Sequence, residues 1–521
     1  MATRLKTVKY SFPALASLVN NTLTNLTQIT IYLPETGTKT FRSVTAHITM
    51  DDIITATGGT LTTKTFGLRL GAAGYTSVAN ANALTNSGEN ASFRFSADYT
   101  AHFTTNWTGT SMTCDFQATV NQSTGTTTGM VNVCVTLDIT YEYDDTSTTH
   151  VKTVLIPLNA PVSNITGSSV TYDTIPALDT YLPEASKVYR NIHLVLQGNE
   201  HRNTAVTDNT MQLGCGSQFV TTGNYEGALA SDRAYRYVWD LTSIYPSTGA
   251  TQTFQLQSTI ARMNHPQAYL VVTYEFNATT TTSVMNSVML PMQMNSPMGG
   301  TGAGDYQRAT RELWIQEANI TGQRIAFFPF WQQIAAIAGL NMRIGTGSFV
   351  AYTDTASILC GTNAAMIRND AAFTLARGRN KLNFDAYRTD TADFGWNVSG
   401  FWLINYTSDK HADGVGAHNH TVEYNLATNG TAAAASLITT SALAVQIPET
   451  DYFINALGVE MLAMLNGTVA PSGFTVLVER LAAEGGIEWE QVYTDVSQTD
   501  PEVGWFALYA QMRSIFKRFV G

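Results

Sequence analysis

Hydrophobic and polar residues alternate with a period of two along much of the chain, most cleanly in Val135-Thr136-Leu137-Asp138-Ile139-Thr140-Tyr141-Glu142-Tyr143. Odd positions are apolar and even ones polar, which predicts a β-strand with one face in a core. The same split sets Phe93, Phe95, Ala97 and Tyr99 against Arg94, Ser96, Asp98 and Thr100, and Tyr235, Tyr237, Trp239 and Leu241 against Arg236, Val238, Asp240 and Thr242. Turn-rich segments such as Ser123-Thr124-Gly125-Thr126 and Pro246-Ser247-Thr248-Gly249 separate such runs. The pattern predicts an all-β chain of tandem antiparallel β-sandwiches, of jelly-roll or immunoglobulin-like type. Helical spacing is confined to Trp331 to Leu340 and to Trp505 to Phe519, where Trp505, Leu508, Met512, Ile515 and Phe519 share a face.

The strands also repeat. Ile139-Thr140-Tyr141-Glu142-Tyr143 returns as Val272-Thr273-Tyr274-Glu275-Phe276, and Tyr32-Leu33-Pro34-Glu35 returns as Tyr181-Leu182-Pro183-Glu184. Leu68-Arg69-Leu70-Gly71 pairs with Met211-Gln212-Leu213-Gly214, Phe93-Arg94-Phe95 with Tyr235-Arg236-Tyr237, and Ile156-Pro157-Leu158 with Leu290-Pro291-Met292. The offset shrinks from 149 at Pro34/Pro183 to 133 at Tyr141/Tyr274. Loops that lose residues while strands keep register mark a duplication.

A third copy is fainter. Arg311 to Ile315 takes the Phe-Arg position, Met342-Arg343-Ile344-Gly345 the strand-turn position, and Phe401 to Tyr406 the Thr-Tyr-Glu position; Ile447-Pro448-Glu449 then reads as the opening of a fourth, truncated or rebuilt. Boundaries near Pro157 to Thr180 and in the Gly-rich stretch Met294 to Asp305, with the starts of the first and fourth units, divide the chain into five. These are an N-terminal arm (1–31), sandwiches over 32–175, 176–297 and 298–445, and a smaller C-terminal α+β unit (446–521).

Composition narrows the function. The 521 residues exceed one ordinary core, only 13% are charged, and the net charge is −11. A body that binds nucleic acid needs clustered Lys and Arg. The one basic cluster, Arg513 to Arg518 with Lys517, is short and reads as cations at a helix C-terminus. No run of about 18 apolar residues predicts a membrane span, and Met-Ala-Thr-Arg-Leu-Lys lacks the apolar core of a signal peptide. Synthesis in a cytosol is therefore expected. Cys114, Cys134, Cys215 and Cys360 match no metal spacing, and alternation puts Cys114 on an apolar face and Cys134 on a polar one, which argues against a disulfide between them.

Candidate chemistry is sparse. The repeated pairs Arg94/Asp98 and Arg236/Asp240 span about 13 Å along a strand, so each charge needs a cross-strand or inter-subunit partner. Glu142 and Glu275 with Asp138 bring to mind the paired acids of a glycosidase, but Glu recurs in register on an outward face, as a structural ion pair would. His411, His418 and His420 with Asp409 and Asp413 could line a surface metal site; a solvated loop explains them as well. Gly71, Gly214, Gly345 and Gly347 read as tight turns, without the Lys-Ser/Thr of a phosphate loop. No nucleophile elbow or zinc-protease motif occurs, so neither an enzyme nor a cofactor or metal site is expected.

Tandem β-sandwiches with a polar, weakly charged surface resemble the multi-domain structural proteins of tailed-bacteriophage virions, of decoration, collar or tail and fibre type. The resemblance covers the whole chain at the level of architecture. It implies a non-enzymatic virion protein, made in the host cytoplasm, that assembles with itself and with other virion proteins through symmetric contacts. A cell-surface adhesin or carbohydrate-binding protein is the alternative, and exposed Thr, Asn and Tyr loops could meet a host surface glycan. Candidate interface residues are Arg94, Asp98, Arg236, Asp240, Phe328, Phe330, Trp331, Trp505 and Phe519, the aromatic ones because an apolar cluster beyond the needs of one core tends to mark a contact.

Overall fold

The computed structural model describes residues 3–19, 21–53, 60–80, 84–85, 92–122, 129–144, 146–158, 165–166, 169–201, 206–209, 211–215, 218–221, 225–227, 233–245 and 251–258. It further describes 262–297, 306–332, 337–344, 350–352, 367–368, 373–388, 395–410, 421–424, 448, 457–464, 474–481, 487–495 and 505–512.

Eight main strands build the first sandwich. In chain order they are Thr3–Ser11, Ile29–Tyr32, Thr40–Ile53, Thr60–Leu70, Thr76–Asn80, Ser92–Asp98, Ser111–Gln122 and Gly129–Asp144. One sheet carries the first, eighth, third and sixth side by side, and the other carries the second, seventh, fourth and fifth. All the pairings are antiparallel. This interleaving of two four-stranded sheets is the jelly-roll order, and it decides between the two expected sandwich types.

The order repeats without change. The second sandwich sets Thr149–Leu158, Arg262–Asn277, Val188–His201 and Arg233–Asp240 in one sheet, and Ser169–Ile175, Gln252–Ser258, Met211–Cys215 and Gln218–Thr221 in the other. In the third, Ser283–Pro297, Gly395–Asp409, Thr321–Gln332 and Ile367–Arg368 face Tyr306–Ile315, Gly378–Arg388, Ile337–Ile344 and Val350–Tyr352. Beyond these, Leu457–Met464 pairs with Trp505–Met512 and Phe474–Leu481 with Ile487–Asp495. The second pair is nested within the first in chain order, as the fourth and seventh strands of each preceding sandwich are nested within the third and eighth.

Alternation built the cores as expected. Val135, Leu137, Ile139 and Tyr141 are buried in the first core with Tyr10, Phe66 and Phe116. Trp239, Leu270, Val272 and Tyr274 fill the second. Gly71 has φ +52°, the turn conformation that favours glycine, whereas Gly214 lies inside a strand.

Several expectations need correction. Thr3–Ser11 is no arm: it pairs with the eighth strand along its whole length. Trp331 and Gln332 close a strand and Ile337–Ile344 forms another, so the described part of 331–340 is strand where a helix was expected. Trp505–Met512 is likewise a strand, and the described part of the C-terminal segment is β rather than α+β. Short apolar runs carry both periodicities, and sheet pairing decided here. Ile156-Pro157-Leu158 lies in the first strand of the second sandwich, and its counterpart in the first sandwich is Tyr10-Ser11-Phe12. Arg311 to Ile315 sits in a second strand, not in the sixth-strand place of Phe93-Arg94. The described helices are two short ones, Thr100–Asn106 and Leu178–Tyr181.

Candidate functional site: the joints between sandwiches

Many of the polar groups that alternation aimed away from each core do not face water. They meet the next sandwich. In each first strand a Thr or Ser lies opposite a Thr or Asn of the eighth strand: Thr7 with Thr140, Thr153 with Thr273, Ser287 with Asn405. Thr7 and Thr140 hydroxyls lie 2.8 Å apart, as do those of Thr153 and Thr273. Each such pair grips one backbone residue of the sandwich before it. Lys9 N donates to Thr153 Oγ1 at 3.0 Å, and Thr273 Oγ1 donates to Lys9 O at 2.6 Å. Leu155 N donates to Ser287 Oγ at 3.2 Å, and Asn405 Nδ2 donates to Leu155 O at 2.7 Å.

The scheme continues and then closes on itself. Met289 N donates to Thr421 Oγ1 at 3.2 Å. Glu423 N donates to Thr7 Oγ1 at 2.9 Å, and Thr140 Oγ1 donates to Glu423 O at 2.5 Å. Lys9, Leu155, Met289 and Glu423 thus hold equivalent places in a closed ring of backbone-to-hydroxyl bonds. The segment Thr421–Tyr424 returns to the start of the chain.

A second device clamps each connection. Glu35 is fully buried and accepts from the Lys6 ammonium, from Tyr141 Oη at 2.8 Å and from Val151 N at 2.9 Å. Lys6 Nζ also donates to Val151 O at 2.7 Å. One Lys–Glu pair therefore holds both backbone groups of the residue by which the chain enters the second sandwich. Glu184 and Lys152 do the same to Met285, with Glu184 Oε1 accepting from Met285 N and Lys152 Nζ, each at 2.9 Å. In the third sandwich Glu317 accepts from Tyr406 Oη at 3.2 Å. Burial pushes the Glu35 carboxyl up, but the charge and hydrogen bond of Lys6 pull it further down, so it stays below the usual carboxylate range.

Third strands add side-chain grips at one repeated place. Asn191 accepts from Ser11 N at 3.0 Å and donates to Ser11 O at 3.1 Å. Arg324 donates to Pro157 O at 3.1 Å and to Asp173 Oδ2 at 2.7 Å. Arg190 pairs with Glu275 at 2.8 Å and lies 3.7 Å over the Tyr32 ring of the first sandwich. Between the three sheets sits an apolar cluster of Cys134, Val195, Val238, Tyr269, Val271, Ala326, Phe328, Phe401 and Leu403. Phe328 and Phe401 stack at 4.7 Å and 8°, and Tyr269 meets both edge-on.

Of the expected interface residues, Phe328 lies in this cluster. Asp98 and Asp240 instead cap their own strand ends: Asp98 Oδ1 accepts from Thr100 N and Oγ1 at 2.9 and 2.6 Å, and Asp240 Oδ1 from the same atoms of Thr242. Their partners are local, not across a sheet. The backbones of Arg94, Arg236, Phe330, Trp331 and Trp505 are placed in strands, but their side chains lie outside the described residues, as do Phe519, Arg513 to Arg518, Cys360, His411, His418 and His420. Glu142 pairs with Arg42, and Asp409 accepts from Asn319 at 2.7 Å. Among the described residues no group of three His, Cys, Asp or Glu side chains is placed to hold a metal ion, and no helix is long and apolar enough to cross a membrane.

The ring residues went unnoticed in the sequence although a signal was present. Thr7-Val8-Lys9-Tyr10, Thr153-Val154-Leu155-Ile156, Ser287-Val288-Met289-Leu290 and Thr421-Val422-Glu423-Tyr424 follow one another at offsets of 146, 134 and 134. The apolar run Ala268 to Val272 likewise announces a strand buried on both faces. These groups bind backbone and one another, and what they can do chemically is hold sandwiches together.

The class defined by strand order and joints is a tandem jelly-roll protein whose sandwiches are locked through buried polar grips. No known protein family matches the chain, and no curated protein matches it. Solved structures that resemble it include viral capsid proteins. One is VP54 of PBCV-1, fitted into a reconstruction of the virophage Sputnik, at 10% identity over 52% of this chain and 97% of that one, with a TM-score of 0.18. Another is the major capsid protein P2 of bacteriophage PM2, at 10% identity over 51% and 100%, TM-score 0.17. A third, from a study of the triple jelly-roll fold and turret assembly in an archaeal virus, matches at 8% identity over 78% and 90%, TM-score 0.13.

Proposed function

We propose that this chain is a non-enzymatic structural protein of a virus particle, made in the host cytoplasm and built as four jelly rolls in a ring. The units run over 3–144, 149–277 and 283–409, with a fourth opening at Thr421. The observation that carries the reading is where the buried ionisable groups go. The buried carboxylates Glu35, Glu184 and Asp138, with the half-buried Lys6, Lys9 and Lys152, serve joints between sandwiches, which is the use expected of a building block. A catalyst gathers such groups around a cleft.

Assembly with further copies and with other virion proteins belongs to the same proposal, as does the narrower placement among decoration, collar or tail components of tailed phages. Mass spectrometry of purified particles, fractionated into heads and tails, tests it. The chain is expected in stoichiometric amount in one fraction. Its absence from particles, with recovery from the producing cell's surface, would instead favour an adhesin.

A further inference from the structure

The four places of the ring share one backbone scheme but not one side chain. Leu155 and Met289 pack against the apolar cluster between the sheets. Lys9 and Glu423 are charged, and they meet each other. Lys9 Nζ lies 2.6 Å from Glu423 Oε2 and 2.8 Å from Asp138 Oδ2, and His47 Nε2 lies 3.4 Å from the same Asp138 oxygen. The places equivalent to Asp138 and His47 are Val271 and Val195 in the second sandwich and Leu403 and Phe328 in the third. The joint between Thr421–Tyr424 and the first sandwich is therefore ionic where the central contacts of the others are apolar.

That joint differs in connectivity as well. The first and second sandwiches are joined by residues 145–148 and the second and third by 278–282. Both connections pass through the Glu35/Lys6 and Glu184/Lys152 clamps. Between Glu423 and Thr7 the only covalent path is the rest of the chain.

We propose that the contact of the Thr421–Tyr424 segment with the first sandwich is the seam at which the ring opens and closes, held shut and kept in register by the Lys9–Asp138–Glu423 cluster. Opening the apolar centre of another joint exposes hydrocarbon, with no ion there to rehydrate. Opening this seam returns the half-buried Glu423 to water and uncovers the Lys9–Asp138 pair, which offsets much of the Coulomb attraction lost. The same cluster makes closure selective. Leu155 or Met289 in place of Glu423 would leave the Lys9–Asp138 pair without its second acid, and a cation there would face Lys9. The inference concerns the chain alone and stands whether or not the chain is found in particles.

Hydrogen exchange of the full-length protein, read at residues 421–424 and at the Lys9 and Leu155 amides that serve the other joints, tests it. In the wild type, 421–424 are expected to exchange faster than Lys9 and Leu155 by about tenfold or more, as an opening below the global unfolding free energy allows. Glu423→Lys should accelerate 421–424 by a further factor of about ten or more and leave Lys9 and Leu155 within about twofold. Equal protection at all of these amides in the wild type overturns the seam. So does a Glu423→Lys protein in which 421–424 stay unchanged, or in which all of them accelerate together. The wild-type comparison decides even if the variant does not fold.

Discussion

Glu35 is fully buried and yet charged, because one cation, one phenol and one backbone amide converge on its two oxygens. Removing the charge while keeping the shape leaves Lys6 without its acid. Glu35→Gln should therefore destabilise the chain by about 3–5 kcal/mol, the usual result of breaking a buried pair from one side, seen as a lower urea midpoint. His150 lies 3.9 Å from the same carboxylate, and its Nε2 is 2.8 Å from Ser147 O. Burial, and then the charge of Lys6, press its pKa down to about 4. A group depressed in the folded state contributes stability that is full above its unfolded value of 6.5 and is lost as pH falls toward 4. The urea midpoint should drop through that window, and His150→Phe, which keeps the ring between Tyr143 and Phe276, should remove most of the slope. An unchanged slope in the variant would assign the acid sensitivity elsewhere.

At the level of strands, the sequence told more about inward faces than about outward ones. Alternation correctly put Leu137, Ile139 and Tyr141 in a core, because a period of two is a local property. It also read Asp138, Thr140 and Glu142 as facing solvent or an interface, and it could not choose. The choice depends on a neighbour: Thr140 is covered by Glu423, 283 residues away. The repeated Glu of Tyr-Leu-Pro-Glu was visible as a repeat, but its task was not, since Val151 N comes from the next sandwich. Helical spacing in 331–340 and 505–512 misled because strand pairing outweighs periodicity in short apolar runs. Phe328 shows what an outward face contributes when it is covered. It lies in no single sandwich's core but between Phe401 of its own sheet and Tyr269 of the second sandwich. Phe328→Ala should cost about 3–5 kcal/mol, with a fall in melting temperature as large as that of a core truncation. A change below about 0.5 kcal/mol, the usual range for surface positions, would show that the cluster is open to water.

At the scale of the whole molecule, three identical strand orders and one repeated joint make a block whose geometry is set from within. Particle fractionation tests its place in a virion, and hydrogen exchange tests which joint yields first. The number of sandwiches was partly legible from the sequence, since Phe401 to Tyr406 does hold the Thr-Tyr-Glu place of a third. A fourth unit is expected from the sequence to open at Ile447-Pro448, whereas the proposed opening is at Thr421, where Thr421–Tyr424 takes the ring place. A proline that marked two earlier first strands drew attention away from the hydroxyl four residues before it, which the joint uses.

Every joint grips a backbone N–H or C=O and leaves the side chain of the gripped residue unspecified. Lys9, Leu155, Met289 and Glu423 are consequently a cation, two apolar residues and an anion, although they occupy one position. Architecture and surface chemistry are decoupled in such a molecule. A gripped residue can take on a new charge or an apolar side chain when what faces it changes as well, as Lys9 and Glu423 show together. Copying a domain therefore supplied the chain with one scaffold and, at each gripped residue, a position whose side chain the backbone grip does not dictate.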